Sequence, residues 1–268
     1  MRSVKYLAAA SVASLLSTAA FAADLPSIMP PPMHYNPPVQ EFGGWYLRGD
    51  IGMSNQSVSK LHNALYDVPG TTVTGVGIGF DSAPIFGVGV GYQFNNFLRT
   101  DFTAEYRGKA NFHGMDIVNA ASTNIYTGSK SEALFLANIY ADLGTWWCLT
   151  PFIGAGIGAS RNTISSFTDF GPNTTSIAYG AQTSQWNFAW AAHAGVGWKV
   201  NNNLTVELAY RYVDLGNAQS GDLVTYTGVN ALYNPMEFRG ITSHDLKLGV
   251  RWTCCDVPPP PPPLIRKG

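Results

Sequence analysis

The sequence runs to 268 residues with 16 Lys+Arg, 17 Asp+Glu and a formal net charge of -1. That balance excludes a nucleic-acid binder, which needs a basic excess to neutralise phosphates, and 46% hydrophobic residues exclude a disordered chain. Only 12% of residues are charged while 13% are aromatic and 28 are glycine. An ordinary soluble domain carries about 25% charge, so part of this surface is expected never to meet water.

Residues 1–22 read as a secretory signal peptide. Arg2 and Lys5 make a positive start, Tyr6–Ala20 is apolar, and Ala20-Phe21-Ala22 is an A-x-A cleavage site. Residues 23–42 are rich in proline, notably Pro26–Pro38, and read as an extended spacer. The tail, 254–268, holds six consecutive prolines at Pro258–Pro263 and reads the same way. No run of 18 apolar residues follows the signal, so a spanning helix is not expected. An exported chain this poor in charge is best explained by a barrel.

Between these ends, 43–253 is filled with period-two alternation, the mark of strands with two unlike faces. Trp45–Met53 sets Trp45, Leu47, Ile51 and Met53 on one face and Arg48 and Asp50 on the other. Ile85–Phe94 sets Phe86, Val88, Val90, Tyr92 and Phe94 over Gly87, Gly89 and Gly91. Leu98–Tyr106 sets Leu98, Phe102 and Tyr106 over Arg99, Asp101 and Glu105, with Arg107 following. Glu132–Asp142 turns Phe135 and Ile139 one way and Asn138 and Asp142 the other, and Pro151–Ser160 sets Ile153 and Ile157 over glycines. Trp186–Val200 alternates Trp186, Phe188, Trp190 and Trp198 with His193 and Lys199. Leu204–Tyr212 opposes Leu208 and Tyr210 to Glu207 and Arg211, and His244–Trp252 opposes Leu246, Leu248 and Trp252 to Asp245, Lys247 and Arg251.

Eight strands, an even number, fit a closed antiparallel transmembrane β-barrel. Asn95-Asn96, Gly144–Trp147 and Asn201–Asn203 read as short turns. Gln56–Ala83, Gly108–Lys130, Arg161–Gln185 and Asn217–Ile241 read as long polar loops. Such barrels keep short turns in the periplasm and long loops outside. The expected fold is therefore all-β, with both chain termini in the periplasm and aromatic girdles at the interfaces. Trp45, Phe94, Trp198 and Trp252 form the periplasmic girdle.

The charged positions share the small-residue face, so they are expected in the lumen. Asp50, Asp101, Glu105, Asp142, Glu207 and Asp245 face Arg48, Arg99, Arg107, Lys199, Arg211, Lys247 and Arg251. Eight strands leave room for side chains and no more. Charges in that space must pair, and a packed ion-pair plug is expected in preference to a narrow ion path. No catalytic or metal constellation emerges: His34, His62, His113, His193 and His244 lack ligand spacing, and the G-x-G-x-G runs at Gly75 and Gly154 open no helix. Neither an enzyme nor a cofactor is expected. Cys148, Cys254 and Cys255 fall at the periplasmic rim, an oxidising compartment. A Cys148 bridge to either of the others, a vicinal bond and an intermolecular link all stay open.

The GGWYLRGDIGMS opening at Gly43–Ser54, ANIYADLG at Ala137–Gly144, TPFIGAGIGAS at Thr150–Ser160 and HDLKLGVRW at His244–Trp252 resemble the small outer-membrane β-barrel surface antigens of Gram-negative bacteria. This is the opacity-type or outer membrane immunogenic protein group. The resemblance spans about Gly43–Trp252 and implies a non-enzymatic surface antigen of the outer membrane. Its expected partners are membrane lipids, lipopolysaccharide, the barrel-insertion machinery and a host or environmental ligand of the loops. An adhesin, a small-ligand binder (haem, for example) and a narrow channel are the alternatives. One departure is that sixteen residues follow Trp252, the aromatic with which such barrels usually end.

Overall fold

The computed structural model describes residues 43–254. The expected signal peptide with Ala20 and Ala22, the proline-rich stretches and Cys255 lie outside the described residues. Eleven strands form, all paired antiparallel: β1 Gly44–His62, β2 Val73–Phe80, β3 Ala83–Gln93, β4 Leu98–Val118, β5 Ser122–Asp142, β6 Leu149–Gly171, β7 Ser176–Gly180, β8 Thr183–Lys199, β9 Leu204–Gln219, β10 Leu223–Thr225 and β11 Glu237–Thr253. Eight of them close a ring in the order β1, β3, β4, β5, β6, β8, β9, β11, with β11 returning to β1 from Tyr46↔Thr253 to His62↔Glu237. Closure leaves the ring no free edge, which is what lets a sheet sit in lipid.

In the lower half of the barrel the alternation sorts side chains as charge and size demand. Leu47, Ile51, Met53, Phe102, Ile153, Ile157 and Leu248 are exposed on the outer wall, while Arg48, Asp50, Asp101 and Lys247 are buried inside. Inward glycines make room for the large inward residues. A Cβ on Gly91 would lie 2.3 Å from the Tyr46 ring, and one on Gly154 would lie 2.4 Å from that of Tyr140. Asn95 and Asn201 build two of the periplasmic turns identically, each side-chain oxygen accepting from the backbone N–H groups two and three residues on.

The four long connections differ from expectation. Rather than loops, 108–130 and 161–185 are largely continuations of the strands, while 56–83 and 217–241 continue them only at their ends. β4 and β5 run on to a tight turn at Asn119–Ala121, and β6 runs to Gly171. The 19 residues of β1, tilted as barrel strands are, climb about 48 Å, well past a hydrocarbon layer of about 30 Å. Beyond the lipid the backbone still profits from pairing, but the outward side chains turn polar, so the apolar alternation that marks a strand fades while the strand itself persists. β2, β7 and β10 add short strands here: β2 pairs with β4, β7 with β6, and β10 with β7.

Bulges reset which parity faces inward in this external half. Register slips between Arg107 and Ala110 on β4, at Ser166 (φ 52°) on β6, and near Gly240 (φ 64°) on β11. An extra residue in one strand swings every later side chain to the other face. Below the slips, Arg107, Ile164 and Ile241 point inward; above them, Phe112, Phe167 and Phe238 do. With Phe80 they form an aromatic plug, Phe112 meeting Phe238 edge-on at 4.9 Å between centroids and Phe167 meeting it at 5.8 Å. The interior is therefore ionic below and apolar above.

Candidate functional site

The lumen below the aromatic plug is filled by one connected set of ion pairs. It starts near the periplasmic end, where Arg99 Nε donates to Asp142 (3.1 Å) and its Nη2 approaches Glu207 (3.4 Å). Glu207 also takes Arg251 (3.1 Å) and touches Arg48 (3.7 Å). Arg48 holds Asp50 and Asp101, each at 2.8 Å. Lys247 joins Asp50 (3.4 Å) to Glu105, and Arg211 joins Glu105 (2.6 Å) to Asp245 (2.8 Å). Arg107 joins Asp245 (2.6 Å) to Glu132 (2.7 Å), and Lys130 closes on Glu132. From Asp142 to Lys130 the chain of contacts is unbroken and every member is buried.

Two corrections to the expected set follow. Lys199 stands outside: it is the last residue of β8, exposed at the periplasmic end, with no ion pair. Lys130 and Glu132 stand inside, although they lie in or beside what reads as a loop. The signal for them is present in the sequence, because they share even parity with Asn138, Tyr140 and Asp142 along β5. With that exchange the ladder has one cation for every carboxylate, so the lumen is neutral.

Neutral partners complete the ladder. Tyr46 Oη donates to Asp101 (3.1 Å), Asn138 Nδ2 to Asp101 (2.8 Å) and Lys130 Nζ to Gln56 (2.8 Å). The Arg99 guanidinium sits over the rings of Tyr140 and Phe152, at 4.2 and 4.6 Å, in the corner the two perpendicular rings make, a pair of cation–π contacts that suits a desolvated arginine. His193 is buried, its Nε2 3.2 Å from Asn138 Oδ1. A buried charge that lost its partner would cost several kcal/mol, so this arrangement resists opening.

At the short-turn end Trp45, Phe94, Trp198 and Trp252 all lie exposed on the outer wall, with Trp252 opposite Leu47 in the closing register. Cys148 and Cys254 carry free thiols at this end; Cys148 precedes β6 and Cys254 follows β11, strands with β8 and β9 between them, and the Cys148–Cys254 alternative is not formed. At the other end His62 lies 3.2 Å from Asp67 and 3.9 Å from Glu237, and His113 lies 3.9 Å from Asp81. Among the described residues no cluster of three or more His, Cys, Asp or Glu is arranged to hold a metal.

A closed eight-stranded antiparallel ring, apolar outside and ionic inside, defines an integral outer-membrane barrel. Residues 8–252 match the family of the outer membrane protein beta-barrel domain, and the chain belongs to that family, whose place is the outer membrane of Gram-negative bacteria. An uncharacterized protein of Brucella abortus (strain 2308) is 31% identical over 268 residues, covering 88% of this chain and 93% of its own. A proposed adhesin of Rickettsia prowazekii (strain Madrid E) is 25% identical, covering 78% of this chain and 86% of its own. Among solved structures, the outer membrane protein OprG from Pseudomonas aeruginosa superposes with a TM-score of 0.47 at 14% identity, covering 80% of this chain and 98% of that one.

Proposed function

We propose that this chain is a non-enzymatic surface protein of the outer membrane, a sealed barrel that supports the envelope and presents its external hairpins as a surface for recognition. One observation carries this reading: the lumen is closed twice, first by the neutral ladder from Asp142 to Lys130 and then by the plug of Phe80, Phe112, Phe167 and Phe238. A sealed barrel has its outside and its rim with which to act. The rim presents Tyr226, Val229 and Leu232, all well exposed beyond β10, together with the Ser, Thr and Asn chemistry of an adaptable contact surface. Lipids, lipopolysaccharide and the insertion machinery are its proposed partners in the envelope, and a host or environmental molecule is its proposed partner at the rim. The Rickettsia relative, a proposed adhesin, favours the same reading of the rim. The proposed division of the chain remains 1–22 as signal, 23–42 as spacer, 43–253 as barrel and 254–268 as tail.

Two measurements test it. In a planar bilayer the refolded protein should pass no sustained current, and regular open steps would make it a channel instead. In a screen of immobilised host-matrix and polysaccharide ligands, replacing the exposed Tyr226, Val229 and Leu232 with serine should abolish any binding without altering barrel folding. Binding that survives would place recognition elsewhere.

A further inference from the structure

We propose that the external layer carries an acid-operated latch: Asp116 and Asp169, two carboxylates with no cation, flank Tyr126 between the β4–β5 hairpin and the tip of β6, loosening this layer when both are charged and clamping it on the aromatic plug when protons neutralise them. In the lumen every carboxylate is matched to a base; here neither is. Asp116 is fully buried and is held by neutral donors, Tyr126 Oη at 2.6 Å and Asn124 Nδ2 at 2.9 Å. Asp169 faces Tyr126 directly across the β5–β6 ladder.

The surroundings supply no compensating charge. The 3-10 turn Ala64–Asp67 contributes Tyr66, whose buried hydroxyl has no hydrogen-bond partner, and Asp67, which turns away to His62. Neither β2 nor β7 contains an ionisable group besides Tyr179, which is exposed. On upper β4, Lys109 is exposed, and His113 is exposed beside Asp81. Lys130, the nearest inward cation down β5, is engaged by Glu132 and Gln56, with the Phe80 ring at 5.7 Å. Burial, followed by repulsion from Asp116, pushes the Asp169 carboxyl up to about 6. Burial also raises Asp116, against the lowering pull of Tyr126 and Asn124.

The sign follows from linkage. A carboxyl that holds its proton more tightly in the folded layer than in the opened one stabilises the layer at acid pH. That contribution is fully present below the ordinary aspartate range and is lost as pH rises through about 6. Tyr126 lies stacked on Phe167, their centroids 5.9 Å apart, so a change at the carboxylates reaches the plug through one side chain.

Hydrogen exchange on the full chain refolded in micelles, corrected for intrinsic rates, tests this. On going from pH 8 to pH 5, amides of 116–126 and 167–171 should gain about tenfold in protection, one pKa unit's worth, while those of 245–251 stay unchanged. Asp169→Asn should raise protection at pH 8 towards the acid value, and the double change with Asp116→Asn should abolish the pH dependence. A wild type with equal or greater protection at pH 8, or a double variant that keeps its pH dependence, overturns the latch. Should the variants fail to refold, carboxyl NMR of the wild type decides. An Asp169 midpoint near 6 supports the latch, and one near 4 overturns it.

Discussion

Arg211 bridges Glu105 and Asp245, donating from Nη2 to Glu105 Oε2 at 2.6 Å and from Nε to Asp245 Oδ2 at 2.9 Å. These carboxylates come from β4 and β11, strands on different sides of the lumen, so one guanidinium ties three strands across the barrel. Arg211→Ala leaves both acids short of a partner. It should lower barrel stability by about 3–5 kcal/mol, read by urea unfolding in lipid vesicles, and a loss under about 1 kcal/mol would mean water replaces the guanidinium freely.

Lys199 and Lys130 make an opposed pair. Lys199→Ala should change stability by less than about 0.5 kcal/mol, as exposed positions do. Lys130→Met strips one of the two cations from Glu132, which keeps Arg107, and should cost about 1–3 kcal/mol. Equal effects in the same unfolding assay would contradict the membership of the ladder.

Glycine position matters more than glycine number. An added Cβ at Gly91 meets the Tyr46 ring at 2.3 Å and the Thr100 carbonyl oxygen at 2.5 Å, whereas at Gly49, on the outer wall, nothing lies within 4 Å. Gly91→Ala should abolish the heat-modifiable folded band on unheated gels and Gly49→Ala should leave it intact.

Phe238 touches Phe80, Phe112 and Phe167 in the plug. Its replacement by alanine should cost about 3–5 kcal/mol of local stability, confined to the external layer. The expected outcome is new protease cleavage within 62–83 and 108–130 while the membrane-embedded band stays protected. Cleavage that extends into the band would show that plug and barrel unfold as one unit.

What the sequence determined by itself was the part of the fold that sits in lipid. There, Trp45–Met53 and His244–Trp252 must turn aliphatic side chains outward and ionic ones inward, because hydrocarbon tolerates no charge and a backbone with no water must close its ladder. Most of the ion-pair ladder was legible for the same reason, since Arg48, Asp101, Glu105 and Asp245 fall on the parity opposite the aromatics. The tertiary structure alone decided the rest. Above the lipid, the bulges at Gly108–Lys109, Ser166 and Gly240 reverse parity and bring Phe112, Phe167 and Phe238 inside, and no composition rule marks where an extra residue enters a strand. Lys130 keeps the inward parity of β5 and was legible once that strand is extended, whereas the exclusion of Lys199, which shares its parity with His193, depends on where β8 ends, which backbone pairing sets and side-chain alternation does not report.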